Sequence, residues 1–99
     1  MSAPAVEDAL AEYIAALSGS AGRTTRSEDR PKYERHLAAT ALMFSALHRG
    51  DLEGFKMLLA TERRAFGWDF LSGEEGSAAE AAWTHFVDFA QAEIARGAV

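Results

Sequence analysis

The architecture turns on residues 29–66, DRPKYERHLAATALMFSALHRGDLEGFKMLLATERRAF. Asp29 suits a helix N-cap, and Pro31 is tolerated in a first turn, where its missing N–H has no partner to lose. Apolar residues then recur at helical spacing as far as Arg49. On a wheel of about 100° per residue, Tyr33, Leu37, Thr40, Ala41, Phe44 and Leu47 share one side, while Ala38, Leu42 and Ala46 fall on the other. Two apolar sides imply two neighbours, so this helix is expected at the centre. Gly50 supplies a left-handed stop, and Asp51 caps the next helix. Leu52, Phe55, Leu58, Leu59, Ala65 and Phe66 lie within a half-circle, and Gly67 ends the run. So short a connection forces an antiparallel helical hairpin.

Outward from the hairpin, Val6, Leu10, Tyr13, Ile14 and Leu17 form one narrow apolar stripe, followed by the breaker-rich segment Ser18-Gly19-Ser20-Ala21-Gly22. Downstream, Ser77-Ala78-Ala79-Glu80 has the form of a capping box. Ala79, Ala82, Trp83, Phe86, Val87, Phe89, Ala90 and Ile94 make a broad apolar arc behind it, closed by Gly97. The spacing therefore predicts helices at about 4–17, 30–49, 52–66 and 78–96, a flexible connection over 18–28 and an aromatic loop over 67–73. No alternating β-branched run competes. The expected fold is all-α: one domain over 1–99, a small four-helix bundle or a three-helix bundle with a docked N-terminal helix, built on the central hairpin.

The stretch Ala46-Leu47-His48-Arg49-Gly50-Asp51-Leu52-Glu53-Gly54-Phe55-Lys56-Met57-Leu58-Leu59 is similar to the inter-helix corner of an ankyrin repeat. No copy recurs at the repeat period, and a lone repeat cannot bury its own faces. A glycine stop, an aspartate cap and an apolar stripe produce the same string in any helical hairpin, so no family is assigned.

Composition narrows the function classes. With 99 residues, 48% of them apolar and 25% charged, the chain has enough apolar material for one packed core. It contains no cysteine, which removes thiolate catalysis, thiolate-bound metals and disulfides. A small domain without disulfides fits a reducing compartment, and no stretch approaches the roughly 18 apolar residues of a membrane helix, so a cytoplasmic, membrane-free protein is expected. The net charge of −5 divides unevenly: −3 over 1–22, +3 over 23–67 and −5 over 68–99. An acidic whole argues against nucleic acid, and the helix opening Leu52-Glu53-Gly54 offers little to a base edge. DNA binding is accordingly a minor alternative.

Glu62 stands out because it falls near the middle of its helix's apolar arc, where a charge is costly. Hairpin register places it level with roughly residue 39, near His36 and Thr40, with Tyr33 one turn further; these four are the candidate buried polar groups. A Glu–His or Glu–Tyr contact in apolar surroundings serves proton transfer or half a metal site, and otherwise Glu62 is a hydrogen-bonded structural carboxylate or reaches the bundle edge. No Glu-x-x-His pair occurs, so a di-iron bundle is not indicated; His85 and Asp88 have ligand spacing but lie at the edge of their arc. Neither a catalytic residue set nor a metal or cofactor follows from the sequence. The other unusual feature is the loop Gly67-Trp68-Asp69-Phe70-Leu71-Ser72-Gly73, whose Trp68, Phe70 and Leu71, with Met57, are candidates for contact with a partner. The leading expectation is a non-enzymatic acidic helical protein that binds another protein, or a second copy of itself, as regulator, inhibitor or accessory subunit. The alternative is a small-molecule or cofactor-binding bundle, with or without enzymatic activity, around the Glu–His pair.

Overall fold

The computed structural model describes residues 2–21, 26–65 and 73–99. These form four α-helices: α1 (Ser2–Ala16), α2 (Arg30–His48), α3 (Leu52–Ala65) and α4 (Gly73–Ala95). No strand occurs among the described residues. The closest pairings are α2 with α3, α1 with α4, and α1 with α2. The order across the molecule is thus α3, α2, α1, α4, a four-helix bundle rather than three helices carrying a docked arm. α1 lies inside it with a helix on either side, which explains why Val6, Leu10, Tyr13 and Leu17 are all buried.

The α2–α3 corner follows from two local devices. Gly50 takes φ +80°, a conformation that favours glycine. Around it the Gly50 N–H donates to the Leu47 carbonyl at 3.1 Å and the Asp51 N–H to the Ala46 carbonyl at 2.8 Å, which satisfies carbonyls at the end of α2. Asp51 then caps α3, its Oδ1 accepting the Gly54 N–H at 2.9 Å. The same arrangement closes α4, where Gly97 has φ +74° and its N–H donates to Ile94 while that of Ala98 donates to Glu93.

The cap also accounts for Gly54. A Cβ there would collide with the Asp51 carboxylate, Oδ2 above all. Gly54→Ala should therefore disturb the cap and lower the thermal midpoint, although alanine has the better helix propensity. With the carboxylate already removed by Asp51→Ala, itself costing about 0.5–2 kcal/mol, Gly54→Ala should instead stabilise by up to about 1 kcal/mol. A double-mutant cycle in urea checks this reversal of sign.

Several sequence expectations need correction. Asp29 does not cap α2 with its side chain; its Oδ2 accepts from Arg26 Nε at 3.1 Å and Nη2 at 3.0 Å, and a 3-10 turn, Ser27–Asp29, leads into the helix. Within the expected connection over 18–28, Leu17–Ala21 continues α1 as a wide turn broken at Gly19, and Arg26 is extended before the 3-10 turn. α2 buries one stripe rather than two sides, namely Tyr33, His36, Thr40, Met43, Ala46 and Leu47. That stripe serves both α1 and α3, so Leu42 and Ala38 are left exposed and Met43, on neither expected side, is in the core. Ala65 is likewise exposed. α4 begins at Gly73, so Ser77 is inside the helix and not at its cap, and Gly73 belongs to a helix rather than to the aromatic loop. Phe66, Gly67, Trp68, Phe70 and Leu71 lie outside the described residues.

Candidate functional site

One residue from each helix meets at the centre of the bundle. α1 supplies Tyr13, α2 His36, α3 Glu62 and α4 Trp83. His36 Nδ1 lies 2.5 Å from Glu62 Oε2, and His36 Nε2 lies 2.6 Å from the Tyr13 hydroxyl. A neutral imidazole with its proton on Nδ1 satisfies both contacts: it donates to the carboxylate and accepts the phenol proton. Trp83 packs edge-on against His36 at 5.0 Å between ring centroids and tilts over Tyr13 at 5.1 Å. The cluster is closed to solvent, with His36 0%, Tyr13 1% and Glu62 4% exposed.

Burial sets the protonation states. It raises the Tyr13 phenol far above its ordinary value of 10.0, and the charge of Glu62 adds to the effect, so the hydroxyl remains a donor. Burial also lowers His36 from its ordinary 6.5, outweighing the hydrogen bond to Glu62, which acts the other way. The unfolded chain therefore takes up a proton at His36 before the folded one does. Stability from this group is complete above about pH 6.5 and is lost as pH falls toward the folded value, with a slope of up to about 1.4 kcal/mol per pH unit. Urea unfolding at stepped pH should show this slope in the wild type and a shallower one in His36→Asn, which keeps a donor but does not titrate.

The hairpin register brings Glu62 and His36 together. Thr40 and Tyr33 are also buried but join other partners. Thr40 Oγ1 donates to the Leu37 carbonyl in its own helix at 2.7 Å, and the Tyr33 hydroxyl donates to the Leu17 carbonyl at 2.9 Å, tying the end of α1 to α2. Tyr13 was hidden within an apolar stripe. Donor accounting points to it: a buried Glu–His pair leaves one imidazole nitrogen to satisfy, and the chain has only two tyrosines.

A carboxylate–imidazole–phenol chain is chemically able to relay a proton. Here its phenol and imidazole are enclosed by Trp83 and Phe86, and the Tyr13 proton is already committed to His36. The arrangement works as a four-helix clasp. Glu62 reaches a groove of about 430 Å³ on the outer side of the α2–α3 hairpin, and Trp83 reaches a smaller one of about 220 Å³ beside Arg63, Thr84, Val87 and Asp88. Ala39, Gly54, Met57, Leu58 and Thr61 line this groove beside Glu62, and Arg49 and Asp51 close its hairpin end. Met57 stands 68% exposed there. Leu42 on α2 is also left 58% exposed. Among the described residues no group of three or more histidines and carboxylates is placed to hold a metal ion, and no helix is long and apolar enough to cross a membrane.

Compared with known protein families, curated proteins and solved structures, the chain matches none.

Proposed function

We propose that this is a non-enzymatic, cytoplasmic helical protein that binds another protein through the outer groove of the α2–α3 hairpin, as a regulator, inhibitor or accessory subunit. The observation that carries this reading is the placement of Leu42 and Met57. Both are large apolar side chains left more than half exposed; Met57 lines the groove itself, and Leu42 stands on the α2 arm of the same hairpin. Scattered exposed apolar residues need no explanation, whereas an exposed methionine in a trough that Ala39 and Leu58 also line forms a surface that gains by being covered. The trough runs from Asp51 to Glu62 along α3, about 16 Å at the helical rise, which suits some three turns of a partner helix laid alongside. The sealed state of Tyr13 and His36 weighs against the enzymatic alternative, because a reacting group must come within about 3 Å of the atom it attacks.

Met57→Glu and Leu42→Glu test the surface. Each substitutes an exposed position and should shift stability by no more than about 0.5 kcal/mol. Affinity capture by the wild-type chain should retain a stoichiometric protein, which both variants lose, while sedimentation separates a foreign partner from a second copy. A partner held equally well by both variants would remove the groove from the interface.

A further inference from the structure

Glu62 is placed unusually for a groove floor. It is 4% exposed, one oxygen is engaged by His36, and Oε1 has no hydrogen bond or ion pair among the described residues. The charge at the far end of the groove is different in kind, since Arg49 there already faces Asp51 at 3.3 Å. Glu62 is thus the buried carboxylate in the groove with acceptor capacity to spare, and a buried carboxylate oxygen gains most from a charged donor. The walls leading to it, Ala39, Leu58 and the thioether of Met57, are apolar. A side chain with a long hydrocarbon stem and a cationic head matches both features, its stem lying on the walls and its head reaching the floor.

Resting on the protein-binding reading above, we propose that the α2–α3 groove recognises an amphipathic helical segment of a partner carrying a lysine or arginine, whose cationic head donates to Glu62 Oε1. Apolar residues one turn before and after that cation cover Leu42 and Met57. The clasp gives the subsite its rigidity: His36, held by Tyr13 from the other side, fixes the carboxylate, so little side-chain freedom is lost on binding.

The test is selection from a phage-displayed library of helix-biased random peptides against the wild-type chain, with Met57→Glu and Glu62→Gln in parallel and far-UV circular dichroism confirming that each variant folds. The wild type should enrich peptides with a basic residue flanked by apolar residues three or four positions away, none of which bind Met57→Glu. Replacing that basic residue by norleucine should weaken binding to the wild type by about tenfold or more. This peptide substitution needs no protein variant to fold. On Glu62→Gln the same replacement should have far less effect, a coupling read directly from the double-mutant cycle. Enriched peptides that depend on Met57 but show no basic preference would overturn the cation subsite while leaving the protein-binding groove standing. No enrichment through the groove would overturn both, and equal binding by free butylammonium would reassign the subsite to small amines.

Discussion

His36→Ala should destabilise the protein by about 3–5 kcal/mol, a large share of the roughly 5–15 kcal/mol expected for a domain of this size. The imidazole makes two hydrogen bonds, so its removal orphans two groups. Glu62 loses the only donor it has among the described residues, and the Tyr13 hydroxyl loses its acceptor inside a sealed cluster. Tyr13→Phe should cost less, about 1–3 kcal/mol, because it leaves a single unsatisfied imidazole nitrogen. Replacing both His36 and Glu62 by leucine should cost less than His36→Ala alone, since no stranded charge remains. Urea unfolding of the three variants gives the ranking. If His36→Ala proved no worse than Tyr13→Phe, the His36–Glu62 contact would not be the one that matters.

The ranking bears on how much of the clasp is legible in the sequence. Glu62 is conspicuous because a charge interrupts an apolar arc, and hairpin register then limits its partner to a few residues of α2. That inference needs only the antiparallel geometry that Gly50 and Asp51 impose. Tyr13 is not legible in the same way. Tyrosine belongs equally well in an apolar stripe, and its partner lies 23 residues away on a helix whose placement no local pattern specifies. The buried side of α2 is harder still. With alanine, leucine and methionine distributed around most of its circumference, the wheel does not distinguish a face that packs from one that is merely apolar. Met43 is inside and Leu42 outside because α1 and α3 converge on one stripe. Leu42, which the wheel assigns to a packing side, is instead left 58% exposed. The capping box at Ser77 fails for a different reason: its local signal is compatible with a helix that starts earlier, and α4 begins at Gly73.

Phe55→Ala should carry the other large cost, about 3–5 kcal/mol, as for buried aromatic truncations in general. Its consequences should spread beyond its own site. α3 packs along α2, while its approach to α4 is slighter. Phe55 is fully buried and meets Phe86 of α4 edge-to-face at 6.5 Å, so it links the hairpin to the far side of the bundle. Phe86 also stacks on Tyr13 at 6.4 Å, which connects the Phe55 contact to the clasp. Removing the ring should let α3 move away from α4 and admit water toward Glu62. Three measurements separate this from a simple cavity. The Phe55–Phe86 double-mutant cycle should return about 0.5–1.5 kcal/mol of coupling. Amide exchange in α3 should quicken more than in α1. The pH dependence of stability should also flatten relative to the wild type, because a wetter His36 protonates more nearly as it does in the unfolded chain. Uniform acceleration of exchange through all four helices would mean instead that α3 opens only when the whole bundle does, and that the Phe55–Phe86 contact is not a separate hinge in the fold.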